Sequence, residues 1–311
     1  MSDFQPLVSI IIPVYNGSNY MREAIDSALA QTYTNTEVIV VNDGSTDDTE
    51  QIALSYGRKI RYFKKENGGV SSALNLGIAN MKGSYFSWLS HDDLYTPDKV
   101  AVQVNALQKL PHNTIVLCGW TYIDKSSKSI NNKQNRCNIP CETVLNWEGV
   151  LHYLLRGTFN GCALLIPKTA FDICGNFDER LRYNQDGFMW SKIILNGFSL
   201  LRIPNECVKS RIHSGQLTHC RQHLFYQDCE TMSEYLIPAY DNITTKNNNF
   251  LFEYICYNAK YSNWRIVKKA VRASRKTHFN IAEYATIMLY SAYGTIRPLM
   301  RKLYYKLRKL I

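Results

Sequence analysis

Two adjacent carboxylates, Asp92 and Asp93, close the segment "SYFSWLSHDD" directly after aromatic and apolar residues. Such an ending has two readings. Aspartates start turns and cap helices, and Asp93 stands where it could cap a helix near Pro97. Alternatively, a strand delivers a cation-binding pair to the rim of a sheet. Mg2+ and Mn2+ favour carboxylate oxygens and keep sites for phosphate, so one or two protein carboxylates suffice to hold them. His91, between neighbours that point to opposite sides of an extended segment, reads as a spacer.

The elements around this pair decide between the readings. "LVSIIIPVYN" at 7 to 16 is a β-branched run too short for a helix and reads as a buried strand. Ser18 is expected to cap the next helix, in which Met21, Ala24, Ile25, Ala28 and Leu29 recur at helical spacing. "TEVIVVND" is a second strand, broken at Asp43-Gly44, with a helix starting near Ser45 to Asp48. "KIRYFKKENGG" supplies a third strand, "GGVSSALNLGIANMKG" a helix closed by Gly83, and "SYFSWLSHDD" a fourth strand. Alternation of helices with strands apolar on both faces predicts an α/β fold with a parallel sheet covered on two sides. Such sheets bind ligands beyond the carboxyl ends of their strands, where "PVYN", "NDGS" and "HDD" all fall. Three strands aiming polar groups at one rim exceed what turn-making requires.

From about 114 to 210 the pattern is mixed, with strand-like "TIVLCGWTYID", "GCALLIPKTAFDICG" and "FSLLRIPNECVKSRIH", and with a loop leading into a helix at 140 to 156. Long helical stretches dominate beyond a boundary near 230, which divides the chain into residues 1–230 and a helical region, 231–311. A hydrophobic share of 45% against 20% charged residues provides for a sizeable core and excludes wholesale disorder. The start does not read as a secretory signal, and no uncharged apolar run is long enough to span a bilayer. Nine cysteines, odd in number and scattered through apolar segments, fit reduced thiols in the cytoplasm better than a disulfide framework. His219, Cys220, His223 and Cys229 cluster in sequence, but their spacing matches no paired zinc pattern. There is no Walker motif and no Gly-x-Gly-x-x-Gly, so nucleoside triphosphatase and dehydrogenase readings have no support.

The ordered series "VSIIIPVYNGSNYMREAIDSALAQTYTNTEVIVVNDGSTDDT", "NGGVSSALNLGIANMKGSYFSWLSHDD", "GNFDERLRYNQDGFMW" and "KSRIHSGQLT" resembles the family 2 glycosyltransferases, inverting enzymes of GT-A fold. The resemblance covers roughly residues 7 to 220 and not the last eighty or so. It implies a GT-A-type, Rossmann-like sheet, mixed but mainly parallel, covered by helices and followed here by a helical C-terminal extension. It also implies a nucleotide-diphosphate sugar donor, expected to be a UDP-sugar, and Mn2+ or Mg2+ as a Lewis acid on the departing diphosphate. By this likeness Asp93 is a metal ligand, Asp92 lies near ribose or diphosphate, and His213 of "RIHSG" completes the metal site, with Arg211 assisting on phosphate charge. Asp43 matches the aspartate that accepts from the pyrimidine ring, with Pro13 and Tyr15 as the wall of the base pocket. Asp186 of "QDGFMW" matches the base that takes the acceptor hydroxyl's proton, and Trp190 its aromatic companion. Asn160 and Gly161 match an acceptor-side loop. Two departures stand out: Ser90 where relatives often carry a further Asp, and Gln185 for the usual Glu beside the base.

The formal charge of +10 is concentrated at the end of the chain: residues 264 to 311 hold 12 Lys and Arg against Glu283 alone. "LMRKLYYKLRKLI" at 299 to 311 forms, on a helical wheel, an apolar sector opposite Arg301, Lys302, Lys306, Arg308 and Lys309. It reads as an interfacial helix on an anionic membrane, or as a helix packed on the catalytic domain with a solvated basic face. Nucleic acid is not an expected partner, since no recognisable binding fold accompanies the charge. The chain is therefore expected to be a metal-dependent inverting enzyme that moves a hexose or N-acetylhexosamine to a hydroxyl of a glycan or lipid-linked glycan. Its expected place is the cytoplasm, at the inner face of the membrane. The alternatives are transfer to a polyprenyl phosphate and a silent sugar-nucleotide-binding protein.

Overall fold

The computed structural model describes residues 4–130, 137–156, 159–216, 224–243, 250–260, 263–273, 283, 286–290 and 292. The chain divides into two compact units, Met1–Gln222 and His223–Ile311.

The first unit is built on one mixed sheet. β1 (Val8–Val14) is buried along its whole length, as its unbroken apolar sequence requires. α1 (Met21–Leu29), β2 (Thr36–Asp43), α2 (Thr49–Leu54), β3 (Arg61–Lys65), α3 (Val70–Asn80) and β4 (Tyr85–Trp88) follow in strand–helix alternation. β3, β2, β1 and β4 lie side by side in that order, all parallel. Pro13 is tolerated inside this central strand because β4 pairs only Val8 to Ile11, leaving the last turn of pleat bonded to β2 alone.

The second half of the sheet joins through β8 (Leu164–Pro167), which is antiparallel to both β4 and β6 (Thr114–Ile123). β9 (Ser199–Arg211) then runs parallel to β6, and the short β5 (Leu94–Tyr95) and β7 (Val144–Leu145) pair with it antiparallel. α4 (Lys99–Leu107), α5 (Trp147–Arg156), α6 (Thr169–Cys174) and α7 (Gln185–Leu195) complete this unit. The chain steps from β1 outward to β2 and β3, then returns to place β4 on the other side of β1. That reversal makes a crevice at the carboxyl ends of β1 and β4. β9 points the same way, so its end reaches the same rim. The architecture is a GT-A-type α/β fold.

Two local expectations change. Ser18 does not cap α1: Tyr20 holds that position without a side-chain cap, and the Ser18 amide donates instead to Asp47 Oδ2 at 3.0 Å. Asp93 caps no helix either, since α4 begins after Asp98. The second unit contains α8 (Phe225–Ile243), α9 (Phe250–Lys260) and α10 (Trp264–Ala273), tied by Arg265 to Glu230 at 3.1 Å and by Lys269 to Ser233 at 3.1 Å. The amphipathic segment 299 to 311 lies outside the described residues, as do His219, Cys220 and His223.

Candidate active site

The rim is assembled from loops that follow β1, β2, β3, β4 and β9. After β1, Asn16 adopts φ 48°, and its side-chain oxygen accepts from the Thr46 amide at 2.8 Å. The Asn16 amide donates to Ser45 Oγ and the Gly17 amide to Thr49 Oγ1, at 2.9 and 3.0 Å. Asp47 fastens the same pair of loops. Burial works against its charge, but hydrogen bonds from Thr49 and Ser18 outweigh it and bring the carboxyl down to about 2. Tyr15 emerges here 47% exposed, a free aromatic face beside buried Pro13.

Asp43, at the end of β2, is buried. Its Oδ1 accepts from Lys65 Nζ and the Gly68 amide at 2.9 Å each, and its Oδ2 from the Gly69 amide at 2.7 Å. A carboxylate offers about four acceptor positions, and these bonds take three of them. The position of Gly69 favours glycine, because its φ of 90° is a conformation that side chains rarely adopt. Arg182 donates to the Gly68 carbonyl at 2.6 Å, which brings the start of the "RYNQD" segment against the Asp43 loop.

Beyond β4, Asp92 Oδ2 lies 3.0 Å from His213 Nε2. Asp93 turns the other way, is 5% exposed, and accepts from the Arg211 amide at 2.8 Å. The Cys162 thiol and Ser210 hydroxyl also bond to it. Burial first, and the negative charge of Asp92 second, push the Asp93 carboxyl up to about 8. His213 thus stands against Asp92, and Asp93, expected as a metal ligand, lies beneath. His91, half-buried over Gly17, has its imidazole pKa lowered by burial.

These residues fit a divalent cation. Asp92 Oδ2, a carboxylate oxygen of the kind Mg2+ and Mn2+ favour, stands at the rim beside the His213 imidazole, hydrogen-bonded to it at 3.0 Å, and both could turn to a cation. Among the described residues no group of three or more His, Cys, Asp or Glu could hold a metal, so the remaining ligands would come from diphosphate and water.

Arg211 departs most from expectation. Its side chain is wholly buried, and its guanidinium is committed to Asp92 O, Asp124 O, Ser127 Oγ and Glu23 Oε2. It presents nothing to a phosphate at the rim. Glu23, Tyr20 and Ser127, which hold it, carried no sequence signal, because they belong to a helix and a turn remote from the motif.

Asp186 lies in the first turn of α7, not at its cap, and is half-buried. Burial raises its pKa, against hydrogen bonds led by that from the Gly187 amide at 2.7 Å. Gln185 beside it is 8% exposed and its Oε1 has no partner among the described residues. One turn on, Trp190 is 2% exposed and packs against Phe177, with ring centroids 5.8 Å apart. It is therefore a support, not a surface contact. Asn160 likewise caps the 3-10 turn Gly161–Ala163, accepting from the Cys162 amide at 2.9 Å. Gly161 is seated on Trp88, where a Cβ would come within 2.8 Å of the ring. The shelf Gly161–Cys162 thus joins Trp190 to Asp93.

The sequence matches the family described as Glycosyl transferase family 2 over residues 9–176. The chain belongs to that family. An uncharacterized glycosyltransferase of Rickettsia typhi is 54% identical over 217 residues, covering 70% of this chain and 67% of that one. One of Rickettsia bellii is 56% identical over 225 residues, but the match covers only 31% of its length. Among solved structures, Staphylococcus aureus TarS 1–349 in complex with UDP-GlcNAc superposes with a TM-score of 0.71 at 16% identity. That superposition covers 95% of this chain and 92% of the other, and shares the GT-A fold. As a family 2 member, the chain is a glycosyltransferase; among its described residues no helix is long and apolar enough to cross a membrane.

Proposed function

We propose that this glycosyltransferase moves a hexose or N-acetylhexosamine from a UDP-sugar to a hydroxyl of a glycan or lipid-linked glycan, with inversion. The observation that carries the reading is the meeting of Asp92 and His213 at the crevice rim, beyond the carboxyl ends of β4 and β9. The fourth acceptor position of Asp43 suits a single ring N–H, as uracil offers, and Tyr15 supplies a face for the base. Asp92 and His213 would hold Mn2+ or Mg2+, which when bound offsets charge on the departing diphosphate. Asp186 takes the proton of the acceptor hydroxyl as that oxygen bonds to the anomeric carbon. The bond from that carbon to the diphosphate oxygen breaks, and its electron pair leaves with UDP. The fold shared with a protein crystallised with UDP-GlcNAc supports a UDP-N-acetylhexosamine as the first donor to try.

The enzyme is further proposed to work at the inner membrane surface. On α10, Arg265, Lys268, Lys269 and Arg272 occupy one exposed sector about 100° wide, bordered by Trp264 at 39% exposure, while Ile266, Val267 and Ala270 are buried. A basic stripe edged by an aromatic suits an anionic leaflet.

Hydrolysis of a panel of nucleotide sugars with Mn2+ or Mg2+ tests the reading. Turnover of a UDP-sugar, lost in Asp186→Asn while UDP binding persists, is expected. Absence of nucleotide-sugar binding by the unaltered protein would overturn it.

A further inference from the structure

Arg211 is a fully buried cation whose fork reaches three separate pieces of chain at once. Nε donates to the Asp92 carbonyl at 2.8 Å, Nη1 to Ser127 Oγ at 2.8 Å and the Asp124 carbonyl at 3.3 Å, and Nη2 to Glu23 Oε2 at 3.1 Å. Ser127 Oγ passes its own hydrogen to Glu23 at 2.7 Å, closing a ring of bonds between α1 and the turn after β6. The guanidinium carbon lies 4.3 Å from the Tyr20 ring centroid, and the other neighbour of Tyr20 is the His213 ring, 5.2 Å away. The backbone of Arg211 adds two more ties: its amide holds the Asp93 carboxyl, and its carbonyl accepts from Gln216 Nε2 at 2.6 Å.

We propose that Arg211 is a positioning residue that fixes the Asp92–His213 pair, by clamping the Asp92 peptide on one side and backing His213 through Tyr20 on the other. This rests on the proposed function, since it concerns the cation and donor that such a pair would serve. A buried charge destabilises unless it is fully bonded, and a hydrophobe of similar size often stabilises a fold equally well. What a hydrophobe or a lysine cannot do is hold acceptors on three elements in fixed directions, which requires the planar fork of arginine. Arg211 shapes the cation site without touching the diphosphate.

The test compares Mn2+ and UDP binding, measured by calorimetry, in wild type, Arg211→Lys and Glu23→Gln. Residues behind metal ligands typically change metal affinity about 10- to 100-fold. Arg211→Lys is expected to weaken Mn2+ binding to the UDP complex by that order while leaving UDP affinity in EDTA within about twofold. Glu23→Gln, at a half-exposed site and with an oxygen that can still accept from Arg211, should move Mn2+ affinity in the same direction by a smaller factor. Unchanged Mn2+ affinity in both variants overturns the proposal. So does a fall in UDP affinity in EDTA, which would make Arg211 a phosphate contact. Should Arg211→Lys fail to fold, Glu23→Gln alone decides. A wild-type chain that binds neither UDP nor Mn2+ would overturn the proposed function, and this proposal with it.

Discussion

Asp92 and His213 meet at 3.0 Å although 121 residues separate them in the chain. One stands just before β5 and the other just beyond β9, and the antiparallel pairing of β5 with β9, Leu94 opposite Lys209, brings them together. Replacing either should remove the pairing without disturbing the core. Asp92→Asn and His213→Ala are each expected to lower kcat/KM for the donor by about two to three orders of magnitude, the usual loss when one group stabilising transition-state charge is deleted. Steady-state rates across an Mn2+ titration check this, and wild-type rates in both variants would contradict it.

Asp93 makes stability depend on pH in the metal-free protein. Its carboxyl is at about 8 in the fold against 3.8 ordinarily, so between those values the folded chain keeps a proton that the unfolded chain releases. The stabilisation is complete below 3.8 and is lost as pH rises through 8. With chelator present, the Tm of wild type relative to Asp93→Asn should therefore fall steadily from pH 4 to pH 8. Parallel melting curves across that range would count against the buried, protonated carboxyl.

Asp186 acts as a base only when ionised, and burial raises its pKa. The acidic limb of the kcat/KM profile is accordingly expected above the ordinary carboxylate range. Gln185→Glu adds a negative neighbour and should shift that limb to higher pH. A limb that stays where it was would remove Gln185 from the account of Asp186.

Charge reversal on α10 tests membrane attachment. Lys268→Glu with Arg272→Glu should release the protein from anionic vesicles in flotation, as should deletion of 297 to 311, while donor hydrolysis in solution continues. Each exposed Lys or Arg contributes about 1 kcal/mol near such a surface, so the doubly reversed protein should bind at least tenfold more weakly. Equal flotation with neutral and anionic lipid would refute the electrostatic attachment.

Much of this was legible in the sequence because it depended on local pattern. The apolar runs of β1, β2 and β4 and the polar clusters that end them identified the rim and its aspartates. Roles that depend on side-chain direction were not legible. Asp92 and Asp93 are adjacent, yet one faces His213 and the other faces inward to the Arg211 amide, which no spacing discloses. Arg211 sits two residues from His213 and looks like a phosphate ligand. Only contacts with Glu23 and Ser127, nearly 190 and 84 residues away, reveal where its charge is used. Trp190 and Asn160 shared that fate: right neighbourhood, different task.

The pairing of β6 with β9 slips at two places, between Leu117 and Gly119 and between Gly119 and Trp120. Before the slip Leu117 opposes Arg202; after it Trp120 opposes Val208. Because side chains alternate along a strand, the irregularity decides which way every later residue of β9 faces. Shortening residues 203 to 207 by a single position would turn Arg211 toward the opposite surface. The length of that stretch is thus a constraint as strict as the identity of any residue at the rim, one that deletion would violate where substitution would not.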